Sequence, residues 1–325
     1  MLEAMGGYFE LELSSGRQLY PHAKCYNSAR SAFKSLLLQT QPTRVYLPYY
    51  ICDVMQEVLQ DTPIEILRYA LSPSLELLEL PKLSTGELLL YVDYFGLKST
   101  YVEAVLAPYY GTRLIVDNSQ ALFSPPLPGI ATLYSPRKFV GVADGGWLVN
   151  GPDPITLPRS SSQQRFSALL GRLEDQPQPH YDAFQRAEHA LRQEGVRAMS
   201  RSTERLLDSI DYPHVARRRI DNLSYLRTRL DRHNRFNEWP QAPVAALCYP
   251  LLVDSAETAN RLREQLLAQH IYVPRYWVEV DLAEQAPTNE RNWANCLLPL
   301  PIDQRYDITH MHRLLSIVIT ALEGR

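Results

Sequence analysis

The chain has 325 residues, 45% apolar and 21% charged, with a formal net charge of −3. That size and balance allow a sizeable core in one large or two smaller domains, as in an ordinary globular enzyme. The weakly acidic charge offers no basic field for nucleic acid or for a membrane surface, so neither partner is expected.

Cys25, Cys52, Cys248 and Cys296 are far apart and form no C-x-x-C pair. Their spacing argues against a structural zinc site and against a disulfide framework. The opening residues lack a basic start followed by an apolar stretch, so no signal peptide is expected. No run of about 18 apolar residues suggests a membrane span. A cytoplasmic protein is the resulting expectation.

In chain order, Asn27-Ser28 opens a predicted helix over residues 29–38. A strand at 44–47 and a helix at 51–59 follow. Further strands are predicted at 64–67, 88–92, 113–116, 131–134 and 147–149. They are short apolar runs without clean alternation, as expected when helices cover both faces of a parallel sheet. This half therefore reads as a large α/β domain with a mostly parallel central sheet flanked by helices. Tyr46, Tyr49 and Tyr50 cluster near its second strand, and they read either as strand packing or as the wall of a site.

The character changes after Asn150. Residues 151–181 hold several prolines and the run Ser160-Ser161-Ser162, and read as loop with some helix. Residues 184–232 turn helical and Arg-rich, with a break near Asp211-Tyr212-Pro213. The triple Arg217-Arg218-Arg219 reads as a solvated helix face. The last part is expected to form a small α+β C-terminal domain: strand 245–252, helix 256–269, strand 271–274 and closing helix 308–322. The division is placed between residues 1–205 and 206–325.

Three places carry chemistry. The first turn at Asn27-Ser28-Ala29-Arg30-Ser31 leaves unpaired amides at a positive dipole end, which suits a phosphate. Ser28 and Ser31 hydroxyls or the Arg30 guanidinium are further donors. Asp117 ends an apolar strand, where open α/β sheets place ligands, and Gln120 lies one helical turn on. Lys138 follows the strand 131–134 and precedes Gly145-Gly146, which permit a tight turn and the close approach of another group.

In this order the segments resemble the DegT/DnrJ/EryC1/StrS family of pyridoxal 5′-phosphate (PLP) aminotransferases of fold type I, which act mostly on keto-sugar nucleotides. The likeness covers nearly the whole chain, as a divergent, shortened member. Asn27-Ser28-Ala29-Arg30-Ser31-Ala32 is similar to the family's N-S-G-T-A-A phosphate segment. Val45-Tyr46-Leu47-Pro48-Tyr49-Tyr50 is similar to V-I-V-P-S-Y, and Phe95-Gly96 stands where the family has Y-G. Asp117-Asn118-Ser119-Gln120 resembles D-A-A-Q, and Tyr134-Ser135-Pro136-Arg137-Lys138 resembles F-Y-P-T-K.

The resemblance implies PLP as cofactor, Lys138 as its Schiff-base lysine and Asp117 as the partner of the pyridinium nitrogen. It implies Gln120 on the ring-hydroxyl side and Ser28, Ala29 and Arg30 on the phosphate, with Arg30 replacing a Thr. The ring-stacking aromatic aligns with Cys52, so Tyr49 or Tyr50 is expected in that role. The Ser that opens the family's lysine run aligns with Leu133, leaving Ser135 or Thr132 to compensate. Gly195-Val196-Arg197-Ala198-Met199-Ser200 occupies the place of a segment that crosses a dimer interface. The implied activity is amino transfer from a donor such as glutamate to a keto acceptor, within a homodimer. The alternative is a non-catalytic PLP-binding or ligand-sensing descendant of the same fold.

Overall fold

The computed structural model describes residues 5–323 apart from 17, 154, 155 and 284. Seven strands form the main sheet: β1 (Lys24–Tyr26), β2 (Arg44–Pro48), β3 (Glu65–Tyr69), β4 (Glu87–Val92), β5 (Leu114–Asn118), β6 (Ala131–Tyr134) and β7 (Gly146–Val149). Their spatial order is β1-β7-β6-β5-β4-β2-β3. Strands β2 to β6 pair in parallel, and β7 is antiparallel to both β6 and β1. The carboxyl ends of β1, β2, β4, β5 and β6 and the start of β7 therefore share one edge. Every site residue expected from the sequence lies on or just beyond that edge.

Helix α1 (Ala29–Thr40) shows why the first segment folds as it does. Its buried positions include Ala29, Ala32, Phe33, Leu36 and Leu37, the spacing of one helical face. Ser28 caps it from extended backbone, its Oγ accepting the Ser31 amide at 3.1 Å. Gln41 ends it in the left-handed region, φ 43°. The short α2 (Asp53–Glu57) follows β2, and α3 (Ser99–Tyr101) runs through a π-helical stretch, Val102–Leu106, into α4 (Ala107–Tyr110).

Beyond the sheet come α5 (Ser167–Glu174), α6 (Tyr181–Gln193), α7 (Arg201–Asp208) and the long α8 (Tyr212–Leu230). Asp211 caps α8 by accepting the His214 amide, and Pro213 sits in its first turn, where no intrahelical donor is needed. The expected break near Asp211-Tyr212-Pro213 is thus a helix start. A two-stranded antiparallel sheet, β8 (Tyr249–Leu252) with β9 (Leu297–Leu300), is packed with α9 (Ala256–Ala268), α10 (Glu279–Leu282), α11 (Thr288–Cys296) and α12 (Ile308–Glu323).

Three expectations change. Residues 271–274 form no strand; β9 pairs with β8 instead. Strand β1 was not anticipated, because three residues carry too little pattern. Arg219 does not share a solvated face with Arg217: it is 1% exposed. The helical period places it with Val215, Asn222, Leu223 and Leu226 on the buried face of α8. The main hydrophobic core is continuous across the expected division at residue 205, joining Phe33 and Leu133 to Leu226, Leu251 and Val318.

One backbone contact holds the start of α1 against the sheet edge. A Cβ on Gly146 would lie 2.1 Å from the Ser28 carbonyl carbon and 2.2 Å from the Ala29 nitrogen. Gly145 donates its amide to the Asn27 carbonyl at 2.7 Å beside it. Because the obstruction is backbone, no side-chain rotation relieves it. Gly146→Ala is expected to cost about 1–3 kcal/mol of stability, the usual cost of overpacking, as read by urea denaturation. An unchanged midpoint would show that α1 and β7 separate freely.

Candidate active site

At the shared edge, Asp117 and Asn118 end β5 in register with Leu133 and Tyr134 of β6, and the β6 exit leads directly to Lys138. Residues Pro136–Lys138 form a 3₁₀ turn in which the Lys138 amide donates to the Ser135 carbonyl at 3.1 Å. The Lys138 side chain is exposed and lines a cavity of about 1040 Å³. Arg137, Phe139, Arg219, Gln304 and Arg305 line it too, with leucines of α5 opposite. Asp117, Gln120, Ser28 and Arg30 do not line this cavity.

Asp117 is 5% exposed, and one carboxylate oxygen accepts the Ser119 amide at 2.9 Å. Its other oxygen has no donor among the described residues. Gln120 is buried with its Oε1 accepting the Phe95 amide at 2.9 Å, which leaves only its amide nitrogen for a ligand. That bond also holds Phe95 in the left-handed region, φ 59°. Ser135 is buried in the turn beneath Lys138. Tyr50 is fully buried: its ring stacks near Tyr94 and meets Trp277 and Trp293, so it is committed to this aromatic cluster. Tyr49 is half-buried and lines a separate cavity of about 460 Å³ with Asp53 and Arg68.

The segment expected to bind phosphate is a helix start capped by Ser28. The first-turn amides of Ala29 and Arg30 have no acceptor within the helix. Burial of the Arg30 guanidinium, with Arg192 and Arg137 nearby, pulls its pKa below the usual value. Its one hydrogen bond goes to the Leu191 carbonyl at 3.2 Å, and it has no carboxylate partner among the described residues. The same neighbourhood holds Cys52, whose thiol is pushed up by burial and pulled back by Lys138. Cys52 therefore lies within electrostatic reach of both Arg30 and Lys138. By their chemistry the Arg30 guanidinium at a helix start suits a phosphate and the Lys138 amine a carbonyl; the Ser28 hydroxyl is already engaged, donating to Ser31 Oγ at 2.9 Å.

Helix α6 covers the phosphate segment. Arg137 pairs with Glu188, and Arg192 reaches Glu57 at 3.0 Å and Asp53 at 3.2 Å. The segment from Gly195 to Ser200 folds onto α1 in the same chain. The Gly195 carbonyl accepts from Asn27 Nδ2 at 3.0 Å and Ser31 Oγ at 3.2 Å. Asp144, fully buried, accepts the Ser200 amide and hydroxyl at 3.0 and 2.8 Å, and Arg165 joins Glu194 at 3.2 Å nearby. Arg137, Asp144, Arg165 and Glu194 were not singled out from sequence. Only the adjacency of Arg137 to Lys138 and of Asp144 to Gly145-Gly146 offered a signal.

With this geometry in view, the comparisons are informative. No protein-family model and no curated protein matches the chain. Solved structures do. The aminotransferase TlmJ from Streptoalloteichus hindustanus matches with a TM-score of 0.66 and 16% identity, over 93% of this chain and 86% of that one. The sugar aminotransferase CalS13 from Micromonospora echinospora matches at 0.63 and 15%, over 92% and 87%. NtdA from Bacillus subtilis, with bound cofactor PMP, matches at 0.63 and 11%, over 94% and 74%.

The chain has the fold of these aminotransferases. It is the α/β architecture expected from the sequence, with a mostly parallel seven-stranded sheet and a small second sheet. Among the described residues, no helix is long and apolar enough to cross a membrane, and no group of His, Cys, Asp or Glu could hold a metal ion.

Asp93, at the exit of β4, was also missed, and it braces the edge from within. Its carboxylate accepts from the Lys98 amide at 2.8 Å and from Ser99 and Ser124 hydroxyls at 2.7 and 3.0 Å. Its own amide donates to the Asp117 carbonyl at 3.1 Å. Burial raises its pKa, and the hydrogen bonds only partly oppose that. A raised folded-state value gives a contribution that is full below the unfolded pKa and lost as pH rises through the folded one. Asp93→Asn keeps an acceptor for the Lys98 amide without the buried charge. It is expected to gain stability relative to the native chain as pH rises from below the ordinary carboxylate range through it. Urea denaturation across that range checks this; a gap independent of pH would contradict it.

Proposed function

We propose that the protein is a PLP-dependent aminotransferase that moves an amino group from an amino-acid donor to a keto-sugar nucleotide or similar keto acceptor. What supports this reading is the order of residues along one sheet edge: the capped start of α1 with Arg30 after β1, Asp117 at the end of β5, and Lys138 in the turn after β6. The fold it sits on is shared with sugar aminotransferases, one of them solved with PMP. Work as a homodimer in the cytoplasm belongs to the same proposal. Leu170, Leu173, Tyr181 and Phe184, exposed on α5 and α6, supply an apolar surface for a second copy.

The residues divide the work by charge. Ser28, Ala29 and Arg30 would hold the phosphate, by two backbone amides, a hydroxyl and a guanidinium. The unpaired oxygen of Asp117 would keep a ring nitrogen protonated, and the Gln120 amide nitrogen would address the ring oxygen. Bound there, PLP supplies an aldehyde for amine exchange and a cationic ring that accepts electrons. Lys138 would hold the cofactor through its amine, and as a free amine would serve as the base and acid that moves a proton at the substrate α-carbon. Ser135, buried at the start of the same turn, would add a hydroxyl. Helix α6 excludes water from the phosphate side.

Two measurements test this. Added PLP is expected to give a visible absorbance band that an amino donor bleaches, and Lys138→Ala should abolish the band. A colourless native protein would overturn the reading, and a band without bleaching on a panel of donors would favour a non-catalytic role. Arg30→Ala removes a charge-assisted contact of about 1.5–3 kcal/mol, so PLP affinity should fall by roughly 10- to 100-fold. Affinity for pyridoxal, which lacks the phosphate, should not change. Equal losses for both compounds would place Arg30 elsewhere.

A further inference from the structure

The turn that presents Lys138 is held from outside. Its next residue, Phe139, has a carbonyl that accepts from Gln304 Nε2 at 2.8 Å and from Arg219 Nη2 at 3.4 Å. The Arg219 guanidinium also lies 4.5 Å from the centre of the Phe139 ring. Its Nη1 donates to the carbonyls of Ala246 and Leu247 at 3.1 and 3.0 Å. From there the path continues: the Leu247 amide donates to the Phe95 carbonyl at 2.9 Å, and the Phe95 amide donates to Gln120. One buried guanidinium thus links the Lys138 turn to the Gln120 segment three residues beyond Asp117.

We propose that Arg219 and Gln304 are positioning residues, holding the Lys138 turn in register with the Asp117–Gln120 segment. The inference rests on Lys138 being the reacting amine. Packing alone does not account for Arg219. It is 1% exposed, forms no ion pair among the described residues, and leaves its Nε without a partner. Burial lowers its pKa to about 10. A hydrophobic side chain would fill the same space without that desolvation cost. What an apolar residue cannot supply is a planar fork that reaches three carbonyls in two separate parts of the chain, Phe139 and Ala246-Leu247.

The test uses Gln304→Leu and Arg219→Met in the full-length protein, with folding checked by circular dichroism and thermal denaturation. In PLP-loaded enzyme, kcat is expected to fall by up to roughly 100-fold, the effect of a misplaced reacting group, with the KM for the amino donor unchanged. A purely structural role would lower Tm without that split. In cofactor-free protein, reductive methylation by formaldehyde is followed by peptide mass mapping. The rate at Lys138 should change several-fold while exposed Lys82 reacts as before.

Unchanged Lys138 labelling in a folded variant, or unchanged kcat in the loaded one, overturns the proposal. If the native protein never takes up PLP but Lys138 labelling shifts in the variants, the cofactor reading fails and the positioning role stands. If Arg219→Met does not fold, Gln304→Leu alone decides.

Discussion

The approach of Gly146 to the Ser28–Ala29 peptide is the contact around which the site is arranged. It sets the first turn of α1 against the start of β7, next to the strand that leads to Lys138. A helix N-terminus is useful to an anion only if it is held still and left open. Here the sheet holds it through the Gly145 amide on the Asn27 carbonyl and the bridge of Gly145 with Ser28, and the Ser28 hydroxyl accepts the Ser31 amide. The absence of a side chain at Gly146 is what allows helix and strand to come this close.

Charge is distributed around that cradle unevenly. Arg137 and Arg192 are neutralised by acids on α6 and α2, whereas Arg30 has only a backbone carbonyl. An uncompensated, half-buried cation is unfavourable until an anion arrives, so the arrangement favours the occupied state. The return of Gly195–Ser200 onto Asn27 and Ser31 adds a second consequence. It satisfies Asn27 Nδ2 and Ser31 Oγ through the Gly195 carbonyl of the same chain. The buried Asp144 anchors that return, making the cradle part of the core.

Much of the large domain was readable from local pattern. Short apolar runs gave its strands from β2 to β7, and the spacing of Ala29, Ala32, Phe33, Leu36 and Leu37 marked α1. That Asp117 and Lys138 lie at one edge was readable because one ends a strand and the other follows one, and strand exits of a parallel sheet share an edge. Other residues escaped because their environment depends on distant chain. Tyr50 looks like a site residue beside Pro48, yet Trp277 and Trp293 enclose it. Arg219 looks solvated within its triple, yet the turn after Lys138 needs its donors. A three-residue strand such as β1 exists only because β7 offers it a ladder.

The sequence by itself determined the alternation of strands and helices, the capped start of α1 and the order of Asp117, Gln120 and Lys138, because these follow from apolar spacing and local hydrogen bonding. Only the tertiary structure decided which side chains face one another. It put Cys52 within electrostatic reach of Arg30 and Lys138, committed Gln120 Oε1 to Phe95, withdrew Tyr50 into the core and sent Arg219 to the Phe139 carbonyl. The physical reason is that burial and hydrogen-bond partners are properties of segments brought together from far apart, which no local pattern records.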